Sequence, residues 1–230
     1  MMKKLAAITA LVALLLGGAT ATTDQPAEAK AKSSVSTVAP APFTFTAYGD
    51  SHTTGNHIEL QTGFDTGDTW ILTAVSSRFR YKAGWARGGA TTSDMFAHAE
   101  ATAVSYLVMC ASTNDPGAGL TWEQTRTNLI AIEAGVGPKR VLLVAIPPRD
   151  GQETRTALYN DNLEALATEQ GWRWLDPWPT YRNAIGGWIP SKTVDGIHGT
   201  DAVYHELGHR IGNKLIDLTN PVTTTTTAKR

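Results

Sequence analysis

The stretch FTFTAYGDS, Phe43 to Ser51, decides how this chain is read. Its apolar part, Phe43 to Tyr48, predicts a first strand, and Gly49-Asp50-Ser51 begins the loop that leaves it. A serine in that position is exposed at the carboxyl edge of a sheet, where open α/β folds carry their sites. The tripeptide is also ordinary turn composition, so its weight depends on partners further along the chain. Gly89 stands in Gly-Gly-Ala-Thr-Thr, Asn114 in Ser-Thr-Asn-Asp, and Asp195 with His198 in Asp-Gly-Ile-His.

Strand-like and helix-like segments alternate outward from this start. Arg78 to Trp85 reads as a short strand, and Thr92 to Ala103 as a helix with Met95, Phe96, Ala99 and Ala103 on one face. Ser105 to Ala111 and Arg140 to Ile146 are continuous apolar runs, as expected of strands covered on both sides. Thr121 to Ala134 and Glu153 to Gln170 read as helices, the second closed by Gly171. Gly171 to Leu175 gives a last strand and Thr200 to Leu218 a last helix. The alternation implies an α/β fold, a parallel sheet with helices on both faces and right-handed crossovers. The segment from Gly55 to Ser77 gives the weakest signal.

The ends read differently. Residues 1–21 carry Lys3 and Lys4, an apolar run from Leu5 to Leu16, and Ala19-Thr20-Ala21 as a small-x-small cleavage site, the pattern of a secretory signal peptide. The run is too short to span a bilayer, so no stable membrane insertion is expected. Residues 22–42, rich in Ala, Thr, Ser, Pro and Lys, read as a flexible linker, and residues 220–230 as a disordered Thr-rich tail. One domain of full core size, residues 43–219, lies between them. A secreted, extracellular or cell-envelope location is expected, and so is a monomer. The formal net charge is −1 and no basic patch stands out, which argues against nucleic acid as a partner. The single cysteine, Cys110, excludes an intramolecular disulfide and reads as a buried thiol.

The chemistry of the four loops is that of acyl transfer. A serine hydroxyl needs an adjacent base, and Asp195-Gly196-Ile197-His198 supplies a histidine and a carboxylate that can hold it in one tautomer. The backbone N–H of Ser51, that of Gly89 and the side-chain amide of Asn114 are candidate donors to a developing oxyanion.

These blocks resemble those of the SGNH hydrolases, the GDSL esterase/lipase family. Gly49-Asp50-Ser51-His52-Thr53-Thr54-Gly55 is similar to the first block, Gly89-Ala90-Thr91-Thr92 to the second, Ser112-Thr113-Asn114-Asp115 to the third and Asp195-Gly196-Ile197-His198 to the fifth. The resemblance implies a flavodoxin-like three-layer α/β/α sandwich. It makes Ser51 the nucleophile, Gly89 and Asn114 oxyanion donors, and His198 with Asp195 the rest of a triad. It implies hydrolysis of esters without a metal or other cofactor. The third block usually opens with glycine, where Ser112 stands here, and the fifth-block histidine is often followed by proline, where Gly199 stands here.

A rival motif lies downstream. His205-Glu206-Leu207-Gly208-His209 matches His-Glu-x-x-His, which on a helix could bind zinc for a metallopeptidase with Glu206 as base. Zinc needs a third protein ligand, and Asp217 is the only acid after Glu206, so coincidence is the favoured reading. The Gly-x-Ser-x-Gly elbow of the α/β-hydrolases is absent. A non-catalytic secreted binding module remains the third alternative. His52 and His57 read as solvated loop histidines and His98 as a surface residue. Trp178, Tyr181 and Trp188 precede Asp195, and their rings either stack on a sugar or acyl group or pack under a long loop. The expected partner is an ester substrate, such as acylated carbohydrate or an envelope lipid.

Overall fold

The computed structural model describes residues 41–55, 69–76 and 78–219. The segments read as signal peptide and Thr-rich tail, most of that read as linker, and His57 lie outside the described residues. Five strands, β1 (Phe43–Gly49), β2 (Phe79–Ala86), β3 (Tyr106–Cys110), β4 (Arg140–Val144) and β5 (Arg173–Leu175), form one sheet in the order β2-β1-β3-β4-β5. Every pairing is parallel, as the alternation of strand and helix requires. The chain steps from β1 to β2 on one side and then crosses to β3 on the other. The order therefore reverses between β1 and β3, the position where open α/β sheets form a crevice.

Alternate strand residues enter two cores. Phe45, Val108, Leu142 and Val144 face one core, and Leu107, Met109, Val141 and Leu143 face the other. The first core is closed by α2 (Trp70–Ala74) and α6 (Asp201–Thr219), the second by α3 (Thr92–Ala97), α4 (Trp122–Val136) and α5 (Glu153–Gln170). The result is a three-layer α/β/α arrangement. Helix α6 buries Val203, Tyr204, Leu207, Ile211 and Leu215, a stripe at helical spacing. Helix α4 opens with a capping box, Thr121 with Gln124, and ends at Gly137 in the left-handed conformation.

Two expectations are corrected. The helix read from Thr92 to Ala103 stops at Ala97, with His98 as its C-cap. Tyr48 decides that end from β1: its hydroxyl donates to the His98 carbonyl at 3.0 Å and accepts the Glu100 N–H at 3.2 Å. The tripeptide after β1 also does not open a loop. Ser51 starts a one-turn helix, α1 (Ser51–Thr54), capped by the Asp50 side chain. Gly49 has to be glycine for the turn to close: a Cβ there would lie 2.0 Å from Thr53 Oγ1 and 2.7 Å from the Cys110 carbonyl oxygen. Cys110 itself is buried, as expected, and burial pushes its thiol pKa up. Among the described residues no helix is long and apolar enough to cross a membrane.

Candidate active site

Ser51 and His198, 147 residues apart, meet at the carboxyl edge of the sheet. Ser51 Oγ lies 2.9 Å from His198 Nε2, and His198 Nδ1 lies 2.7 Å from Asp195 Oδ2. The other Asp195 oxygen accepts the backbone N–H groups of Ile197 at 2.9 Å and His198 at 2.7 Å. The carboxylate is thus fixed by its own tight turn before it touches the ring. Burial pushes the Asp195 pKa up, but the bonds from the His198 N–H, the His198 ring and the Ile197 N–H outweigh it and bring it down to about 2. A hydroxyl, an imidazole and an ionised carboxylate in line can move one proton from the hydroxyl to the ring.

The three candidate donors lie on separate segments after β1, β2 and β3, Ser51 at the start of α1. The N–H groups of Ser51 and Gly89 meet no protein acceptor among the described residues. Asn114 Nδ2 donates to the Ala90 carbonyl at 3.0 Å, which turns the amide toward the Gly89 loop and leaves its second hydrogen available. Ser112, in the place of the usual glycine, has φ = +82°. The loop keeps a left-handed step that favours glycine, at a strain of about 1 kcal/mol, and the Ser112 hydroxyl is tied to the Ala111 carbonyl.

Sequence reasoning missed the groups that hold these loops. Asp115, fully buried, accepts the Thr92 N–H at 2.8 Å and the hydroxyls of Thr92 and Thr125 at 2.6 Å each. It joins the Asn114 loop to the start of α3 and to α4, although Asn-Asp-Pro reads only as turn chemistry. Asp50 is also fully buried. Burial raises its pKa to about 6, against bonds from the His52 N–H and from Thr113.

The reading of His52 as a solvated loop residue is overturned. His52 is 2% exposed, because the turn it occupies is α1 and not a loop. Its ring centroid lies 5.2 Å from that of His198, with the planes 33° apart. His52 Nδ1 is 3.1 Å from the Tyr204 hydroxyl, which also accepts the Gly199 N–H at 3.3 Å. The other ring nitrogen, Nε2, is buried without a protein partner among the described residues. Burial, then the charges of His198 and Arg149, lower the His52 pKa to about 3. The apolar spacing of α6 around Tyr204 was the one sequence signal for this contact. His98 is exposed, as expected, and stacks on Trp85 at 4.2 Å.

Trp178, Tyr181 and Trp188 pack under the loop and do not form a substrate platform. They are 1%, 7% and 1% exposed. Trp178 Nε1 donates to the Ala145 carbonyl at 2.7 Å and Trp188 Nε1 to the Ile197 carbonyl at 3.2 Å.

The rival motif has a structural explanation. His205 and His209 are exposed neighbours on α6, ring centroids 4.9 Å apart, but Glu206 pairs with Arg210 at 3.2 Å. Gly208 serves packing, since a Cβ there would lie 2.3 Å from the Trp70 carbonyl oxygen where α6 crosses α2. Among the described residues no group of three or more His, Cys, Asp or Glu side chains is placed to hold a metal ion.

The model of the GDSL-like Lipase/Acylhydrolase family matches residues 47–205. The chain belongs to the GDSL-like lipase/acylhydrolase family. This chain is accordingly a carboxylic ester hydrolase of the GDSL type, with the fold its blocks implied. No curated protein sequence matches it. Solved structures share the fold at low identity. A GDSL-like lipase from Bacteroides thetaiotaomicron is 14% identical with a TM-score of 0.56, over 76% of this chain and 88% of its own. A member of the lipolytic G-D-S-L family from Veillonella parvula is 18% identical with a TM-score of 0.57, over 73% and 94%. An acetyl xylan esterase from Geobacillus stearothermophilus is 14% identical with a TM-score of 0.57, over 75% and 94%.

Proposed function

We propose that this GDSL hydrolase is an exported serine esterase that works through an acyl-enzyme on Ser51. The observation that carries the reading is the continuous line from Ser51 Oγ to His198 Nε2 (2.9 Å) and from His198 Nδ1 to Asp195 Oδ2 (2.7 Å). His198 takes the Ser51 proton as Oγ bonds to the ester carbonyl carbon. The resulting oxyanion is held by the N–H groups of Ser51 and Gly89 and by the Asn114 amide. Collapse breaks the bond to the alcohol, which leaves with the proton from His198. Water then repeats both steps on the acyl-enzyme, releasing the acid and restoring Ser51. Asp195, ionised and held by two backbone N–H groups, orients the ring and stabilises its charged form.

Export is supported by the signal pattern of residues 1–21. Acyl or acetyl esters of carbohydrate, lipid or small molecules are the proposed substrates. The acetyl xylan esterase among the structural relatives makes acetylated polysaccharide one worth assaying.

Hydrolysis of a p-nitrophenyl ester series, acetate to palmitate, tests the reading with EDTA present and Ser51→Ala as control. Turnover that survives EDTA and disappears with Ser51→Ala is expected. Turnover that is lost to EDTA and kept in Ser51→Ala would move the chemistry elsewhere, to His205 and His209.

A further inference from the structure

Beside the Asn114 loop lies a small cleft of about 40 Å³. Ile146, Pro147 and Tyr159 give it apolar walls, and Arg149, Gln152 and Arg155 give it a polar end. Two features place it next to the reacting serine. Thr113, the neighbour of Asn114, forms part of its wall. Arg149 is followed by Asp150, whose N–H donates to the carbonyl of Gly196, inside the Asp195–His198 turn, at 2.9 Å. Arg149 therefore stands between the oxyanion loop and the His198 loop, and its charge is among those that depress the His52 pKa beneath His198.

The charge balance of the cleft is one-sided. The half-buried Arg149 guanidinium donates to no acceptor and pairs with no carboxylate among the described residues. Among the described residues Arg155 donates only to the neutral Gln152 Oε1, at 3.0 Å. The two nearby acids face away: Asp150 Oδ1 accepts the Trp188 N–H at 2.7 Å, Glu153 Oε1 accepts the Gly151 N–H at 2.9 Å, and neither lines the cleft. Gln152 and Thr156 bring the start of α5 to the same wall, and that helix has no side-chain cap. Its positive end adds to the field of the two arginines. A small cleft with unpaired cations, apolar sides and no internal counter-charge is suited to a carboxylate at the end of a carbon stem that itself lies outside the cleft.

We propose that this cleft is a substrate subsite for an anionic group, a carboxylate carried by the ester, with Arg149 as its main partner and Arg155 assisting. The proposal rests on the serine esterase reading. The carboxylate sits on either the acyl or the alcohol part, and two substrate pairs separate these sources. One pair is p-nitrophenyl pentanoate against the p-nitrophenyl monoester of glutaric acid. The other is phenyl acetate against 4-acetoxybenzoate.

In one of the two pairs, Arg149→Ala is expected to lower kcat/KM on the anionic member by about 10- to 100-fold, the range of a charge-assisted hydrogen bond. The neutral member should change by less than about twofold, the smaller side of that same scale. Arg149→Lys should keep part of the preference, and Arg155→Ala should lose less than Arg149→Ala. Losses that are equal on both members in each pair, or no loss in either pair, would overturn the subsite. Thermal unfolding of Ser51→Ala decides it without turnover: glutarate should raise Tm, pentane-1,5-diol should not, and Arg149→Ala should remove the rise. Wild-type protein inert to all four esters would defeat the esterase reading alone, and the glutarate result would still settle the subsite, with no rise refuting it.

Discussion

Replacing Tyr204 by Phe deletes one oxygen and tests how Ser51 and His198 are kept in register. The hydroxyl bonds His52 Nδ1 at 3.1 Å and the Gly199 N–H at 3.3 Å. His52 adjoins Ser51 in sequence and Gly199 adjoins His198, so the hydroxyl braces the Ser51 turn against the His198 turn. Its loss leaves a buried ring nitrogen and a buried backbone N–H unpaired. Each costs about 1–3 kcal/mol, and the long distances favour the lower half, so a stability loss of about 2–4 kcal/mol is expected. Denaturant unfolding, monitored by tryptophan fluorescence, measures it. The rate effect comes from geometry: a displacement near 1 Å between reacting groups costs on the order of 10²-fold, and a brace one residue removed from each group should cost about 10-fold in kcat. Esterase assays across substrate concentration should show that fall with KM nearly unchanged. Wild-type kcat in a destabilised variant would refute the brace and leave Tyr204 a packing residue. A rise in KM alone would place it against the substrate instead.

Three further outcomes are expected of the site. Asn114→Ala should lower kcat by about 10²–10³-fold, and a change confined to KM would show that the amide only binds substrate. Asp115→Ala removes the acceptor from three donors held by a buried carboxylate and should cost about 3 kcal/mol or more in denaturant unfolding; a loss under about 1 kcal/mol would show the loops are held elsewhere. His52 has a folded pKa near 3 against 6.5, so the unfolded chain binds its proton first and stability falls as pH drops from 6.5 toward 3. Asp50, raised from 3.8 to about 6, acts oppositely between those values. His52→Phe should therefore lose about 2 kcal/mol less than wild type between pH 7 and pH 5, and parallel stability profiles would contradict the buried neutral histidine.

The sheet was legible because parallel strands buried on both faces read as unbroken apolar runs, which β3 and β4 do. Helix α5 was legible at both ends, with Gly171 marking its stop. The residues of the site were legible because a serine, a glycine, an asparagine and an Asp-x-x-His turn each come after a strand-like segment or lie in one late loop. What could not be read is set by partners distant in sequence. The end of α3 depends on the Tyr48 hydroxyl, fifty residues upstream of His98. The burial of His52 depends on Tyr204, 152 residues away. Arg149 was only a residue after two prolines until the fold set it beside both Thr113 and Gly196.

The site has two halves of unlike construction. Ser51, Gly89 and Asn114 stand at or near strand ends, whereas Asp195 and His198 ride on a stretch from Asp176 to Thr200 that has two short 3₁₀ turns and no strand of the main sheet. That stretch is anchored by Trp178 Nε1 on the Ala145 carbonyl and by the Trp188 N–H on Asp150, and is braced within itself by the ion pair of Asp176 with Arg182 at 2.6 Å. On gentle heating such a strap can peel away while the sheet persists. Ester hydrolysis should then vanish at a lower temperature than the helical signal, and return on cooling as fast as the strap closes, without the whole domain having to refold.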